Sequence, residues 1–191
     1  MCPVDTIEHM SRPPLAREKV LDAYEAILIT DGERAATMDA IARDAGVSKG
    51  GLLYHYESKE ALETALIGRM TDLALADIDE LAAAPDGPVA AFVRTSVMTG
   101  HPLDRAITAT SKLAQAGNTA ASDALRGIRD RWADMVRPHV RDETALQLVL
   151  LVSDGLYFNN ALVTGVLPGP LPRGADLDAL VELVVQATRD A

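Results

Sequence analysis

Between Thr37 and Leu62 the chain reads TMDAIARDAGVSKGGLLYHYESKEAL, two short helical patterns joined at Ala45-Gly46-Val47. Met38, Ile41, Ala42 and Ala45 recur at helical spacing. Thr37 is a good N-cap because its hydroxyl can accept from a free backbone N–H. Gly46 is the natural stop, since glycine takes a positive φ without steric cost. Ser48 caps a second helix that ends near Tyr56, and Ser58 caps a longer third one. A turn of three or four residues containing glycine holds such helices at a steep angle. Ile41, Ala42, Val47 and Leu52 are expected inside that corner. The outer side of the second helix presents Lys49, Gly50, Tyr54 and His55, on a rod whose width fits the major groove of DNA.

The rest of the chain is also helical in pattern. From Leu15, the apolar residues Val20, Ala23, Tyr24, Ile27 and Leu28 form a stripe that Asp31-Gly32 ends. After Ser58 a longer stripe carries Leu62, Leu66, Met70, Leu73, Ile78 and Leu81. Pro85-Asp86-Gly87-Pro88 breaks it. Further helices are predicted at about 89–99, 103–116, 119–137, 143–165 and 176–189, with a loop from Pro168 to Gly174 before the last. No alternating, strand-like run of useful length occurs, and aromatics make up only 4% of the residues, which favours helix over sheet. The predicted class is all-α, with a flexible arm at 1–14, a three-helix helix-turn-helix domain at 15–60 and a larger helical domain at 61–191. The most apolar stretch, Ala145 to Leu167, is interrupted by Ser153, Asp154, Asn159 and Asn160, so it reads as a buried helix rather than a membrane span.

Each residue type in the corner has a physical use. Ser48 and the free N–H groups at a helix start suit a phosphate oxygen. Lys49 can reach a guanine edge or a phosphate. Gly50 and Gly51 each cost about 1 kcal/mol of helix stability relative to alanine, a poor choice unless something must approach the backbone closely. Tyr54 and His55 can donate to phosphates while their rings pack, and Lys59 would sit over the DNA backbone beside Ser58. Tyr56 is expected in the core, and Arg43 on a solvated face. The net charge of −10 argues against non-specific coating of nucleic acid but leaves room for a local positive surface.

Catalysis and metal binding find little support. His9, His55, His101 and His139 show no paired ligand spacing, and there is no phosphate-binding glycine loop and no nucleophile elbow. The lone Cys2 lies in the arm and permits neither an internal disulfide nor a cysteine metal site. No enzyme activity, cofactor or metal is expected. The absence of a basic stretch followed by an apolar run fits a cytoplasmic protein.

The register of Thr37, Ile41-Ala42, Ala45-Gly46-Val47-Ser48, Gly50, Leu52, Tyr54-His55-Tyr56, Ser58-Lys59-Glu60 and Leu62 resembles the DNA-binding domain of the tetracycline-repressor (TetR) family. With the preceding helix the resemblance covers roughly 15–64. It implies a homodimeric, ligand-responsive repressor on a palindromic DNA operator. The DNA contacts would come from Thr37, Ser48, Lys49, Gly50, Gly51, Tyr54, His55 and Lys59. One departure is Leu53, where the family often has the first of two aromatics, so thymine-methyl contact or packing would replace an aromatic contact. In the family the C-terminal part holds an effector pocket and the dimer interface. Phe92, Met98, Ile107, Ser111, Trp132, Met135 and Asn159 are the pocket residues this implies, with an apolar or aromatic small molecule as effector. Leu146 to Val152 is apolar nearly all round and should be buried on both sides, most simply in a four-helix bundle with a second copy. The rival reading is a helical ligand-binding or enzymatic dimer whose helix-turn-helix is vestigial, and the acidic charge is its best support.

Overall fold

The computed structural model describes residues 13–97, 100–161 and 171–189. Among them there are nine α-helices, one short 3-10 turn and no strand. The helices are α1 (Pro13–Thr30), α2 (Met38–Asp44), α3 (Lys49–His55), α4 (Lys59–Ala82), α5 (Pro88–Thr95), α6 (Pro102–Gln115), α7 (Thr119–Val136), α8 (Glu143–Ala161) and α9 (Ala175–Thr188), with the 3-10 turn Arg137–His139 between α7 and α8. They form two compact units that divide between Leu66 and Ile67, within α4. None of the described helices is long and apolar enough to cross a membrane.

The first unit is built from α1, α2, α3 and the start of α4. The α1 stripe of Val20, Ala23, Tyr24, Ile27 and Leu28 is buried, as are Ile41, Ala42, Leu52, Tyr56, Leu62 and Leu66. Its compact core continues past residue 60 because Leu62 and Leu66 keep the α4 stripe inside. Leu52 is the one buried residue that α3 contributes. The corner after α2 closes with Val47 N–H donating to the Ala42 carbonyl at 3.0 Å and Gly46 N–H to the Arg43 carbonyl at 3.2 Å. This closure needs the left-handed φ of +67° that Gly46 adopts.

The second unit holds two separate apolar cores. One gathers Val89 and Val93 of α5, Val136 of α7, Leu146, Val149 and Leu150 of α8, and Val181 and Val184 of α9. The other gathers Met70 and Ala74 of α4, Leu103 and Ala106 of α6, and Ile128 of α7. Helix α5 stops at Thr95 rather than near 99. The hydroxyls of Thr95 and Ser96 both turn back to the Phe92 carbonyl, at 3.3 and 2.7 Å, and so compete with the helical ladder. The end expected for α8 near 165 lies outside the described residues. Leu146 to Val152 is not covered on both sides within one chain: Leu146, Val149 and Leu150 are buried, but Leu151 is 64% exposed. Leu183 of α9 is 62% exposed.

Candidate nucleic-acid interface

The starts of α2, α3 and α4 are fixed by their own sequence. The Thr37 hydroxyl accepts from Ala40 N–H at 3.2 Å, and the Ser48 hydroxyl accepts from Gly51 N–H at 3.0 Å. Ser58 does the same for Ala61 N–H at 3.2 Å. With α3 anchored by Leu52, the helix turns Lys49, Gly50, Leu53 and Tyr54 outwards as one exposed stripe. Tyr54 is 82% exposed and meets the His55 ring edge-on at 5.2 Å. Tyr56 faces inwards, its ring under the Arg17 guanidinium at 5.4 Å.

The two glycines differ. A Cβ on Gly51 would come within 3.2 Å of the Ser48 hydroxyl, so the cap itself accounts for this glycine. A Cβ on Gly50 would meet nothing within 4 Å. Nothing among the described residues requires glycine there, although it weakens a seven-residue helix.

The two lysines already hold carboxylates. Lys49 Nζ lies 3.0 Å from Asp39 Oδ1 and 3.1 Å from Oδ2, fully on the surface. Lys59 Nζ lies 2.6 Å from Glu33 Oε1 and donates to the Glu33 carbonyl at 3.2 Å, a half-buried tie between the start of α4 and the turn before α2. Sequence spacing gave no sign of either pairing, because the partners meet only through the folded corner.

The residues expected in an effector pocket are partly brought together. Phe92 and Trp132 approach with ring centroids 6.2 Å apart. Phe92 and Met135 pack at the rim of the first core of their unit, Ile107 and Trp132 at the rim of the second. Ser111 is half-buried and Asn159 exposed. Met98 lies outside the described residues. Sequence reading missed Asp77, which accepts the Trp132 indole N–H at 3.0 Å. A signal was present: Asp77 follows Leu73 and Ala74 by four and three residues, so it stands on the inward stripe of α4. Burial pushes its carboxyl above the ordinary aspartate value, against the hydrogen bond from Trp132.

Residues 20–66 match the family model for bacterial regulatory proteins of the tetR family. Over 60 residues the chain is 37% identical to the HTH-type transcriptional regulator SrpR of Pseudomonas putida, covering 31% of this chain and 28% of that protein. The matches to the curated relatives span less than half of each relative's length. Among solved structures, the chain is similar to SCO7518 of Streptomyces coelicolor A3(2), described as a transcriptional regulator. The TM-score is 0.64 at 26% identity, covering 93% of this chain and 100% of that one. A regulator from Saccharomonospora viridis, solved in complex with choline, has the same fold with a TM-score of 0.64 at 20% identity, covering 90% of this chain and 94% of its own.

Proposed function

We propose that the chain is a ligand-responsive transcriptional repressor of the tetR family of bacterial regulatory proteins, whose family model its residues 20–66 match. It binds a palindromic operator as a homodimer in the cytoplasm and leaves it when a small apolar or aromatic effector binds the second unit. The observation that carries the reading is Gly50: an exposed, helix-weakening glycine with open space where its side chain would stand. Such a position makes sense where another molecule comes close to the backbone. Around it, Lys49 serves a base edge or phosphate, Tyr54 and His55 the backbone, and Leu53 a thymine methyl. Thr37, Ser48 and Gly51 set the helix starts, and Lys59 keeps one N–H for a phosphate beyond its two bonds to Glu33.

Dimerisation is supported by the exposed Leu148 and Leu151 of α8 and Leu183 of α9. A second copy covering these leucines would remove apolar surface that one chain leaves wet. The inward Val149 and Val184 belong to the chain's own core, so Leu151→Asp and Leu183→Asp are the substitutions that separate dimer from fold. Effector binding is supported by the contact of Phe92 with Trp132, two partly buried rings that pack on different cores of the second unit. An effector releases DNA only by binding the DNA-incompetent arrangement more tightly.

The test is a fluorescence-anisotropy titration of the DNA upstream of the protein's own gene. Saturable binding that Lys49→Ala weakens by about 1–3 kcal/mol, without a change in melting temperature, is expected. Binding no tighter than to unrelated DNA would favour a helical ligand-binding dimer with a vestigial reading head.

A further inference from the structure

We propose that the second unit binds an organic cation, with Asp77 as its counter-ion and the rings of Trp132, Phe92 and Tyr157 as its walls. This rests on the effector-binding reading above and names the chemistry of the effector.

The starting point is a carboxylate without a cationic partner. Asp77 is half-buried on α4, and among the described residues its hydrogen-bond donor is the neutral Trp132 indole at 3.0 Å. Of the charged groups it feels, Glu80 and Asp104 disfavour its charge and His101 favours it. No arginine or lysine is among the charged groups that act on it; Arg94 of α5 pairs with Asp86, and Arg129 of α7 with Asp154. A half-buried carboxylate held this way costs free energy that a positive guest would recover.

The surroundings suit a cation with an organic body. Trp132 and Phe92 stand 6.2 Å apart at 39°, each with part of its surface accessible. From α8, Tyr157 reaches the Asp104 carbonyl with its hydroxyl at 3.4 Å. Burial and Asp104 push that phenol well above its ordinary range, so it stays a neutral ring and donor. A cation over aromatic faces gains about 0.5–2 kcal/mol beyond its pairing with the carboxylate. A separate observation marks a vacant polar contact: the Ser153 hydroxyl is 2% exposed and has no partner. It precedes Tyr157 by one turn on the same face of α8. Phe92 packs on one apolar core of the unit and Trp132 on the other, so their ring pair bridges the two.

Trp132 is the only tryptophan, so its emission reports on this site alone. The experiment titrates the intact protein with benzyltrimethylammonium, with the bulkier tetraphenylphosphonium, and with neopentylbenzene, the uncharged isostere of the first. The substitution Asp77→Asn keeps an oxygen for the Trp132 N–H and removes the charge. Saturable quenching by at least one cation, weakened tenfold or more by Asp77→Asn, with the neutral isostere binding weakly and equally to both proteins, supports the proposal. No saturable response to either cation, an isostere that binds as tightly as its cation, or unchanged cation affinity in Asp77→Asn would overturn it. Thermal melting of Asp77→Asn confirms that a lost response is not a lost fold. Operator binding is measured in parallel. Cation binding without any operator binding refutes the repressor reading alone, and operator binding without cation binding refutes this proposal alone.

Discussion

In the first unit the informative polar side chains set geometry. Thr37, Ser48 and Ser58 close helix starts, and Lys59 ties α4 to Glu33. In the second unit the Thr110 and Ser153 hydroxyls are buried without partners, and Asp77 is held by one neutral donor. The contrast is not absolute, because the Tyr24 hydroxyl of the first unit is also buried and unpaired. What it teaches is a division of labour. On the functions proposed above, a surface that presents fixed atoms to DNA satisfies its polar groups internally, whereas a region that receives an effector leaves some of them unmet.

The sharpest way to break this comparison is through Leu52. It is the one buried side chain of α3 and is fully inaccessible. Leu52→Ala should cost about 2–5 kcal/mol and abolish operator binding, while Trp132 emission, which reports the second unit, stays native at moderate denaturant. A coincident loss of both signals would mean that the units do not unfold separately. Next comes Gly46→Ala, which forces a Cβ into the left-handed region and should cost about 1–2 kcal/mol, read as a lower urea midpoint.

Gly50→Ala sharpens the comparison because its two effects have opposite signs. The added methyl enters open space, so thermal stability should rise by up to about 1 kcal/mol while operator affinity falls. A variant that gained both would show that no partner approaches this backbone. The smallest effect is expected at Asp77. Its carboxyl titrates above the ordinary aspartate range, so the folded state holds its proton more readily than the unfolded state. Stability must therefore fall as pH rises from about 3.9, the ordinary aspartate value, through the raised one. Asp77→Asn should remove that decline and stabilise the unliganded protein at neutral pH, measured as urea midpoints between pH 4 and 7.

The first unit was largely legible because its rules are local. Thr37, Ser48 and Gly46 each act within a few residues of themselves, and sequence spacing places such contacts directly. The helix pattern of the second unit was legible for the same reason, to within a few residues at most ends. Its site was not. The Asp77–Trp132 hydrogen bond joins residues 55 apart in sequence, and the Lys59–Glu33 pair joins residues 26 apart. Such pairings depend on how helices approach one another, which periodicity does not encode. The capping box of α6, with His101 and Asp104 as reciprocal partners, was local yet unforeseen, because histidine is an uncommon N-cap.

The lysine–carboxylate pairs of the first unit have a further consequence for how the proposed complex responds to its medium. A lysine that meets a phosphate bare displaces a condensed counterion, and each such event steepens the fall of affinity with salt by about 0.9 in the log–log slope. Lys49 and Lys59 are not bare: Asp39 and Glu33 travel with them as resident anions. Part of each charge is spoken for before the duplex arrives, so the net exchange of small ions is smaller than the number of basic side chains implies. Binding built this way draws less of its strength from the ionic atmosphere and more from fit. Its operator preference should therefore persist across ionic strengths that would loosen a more basic reading head.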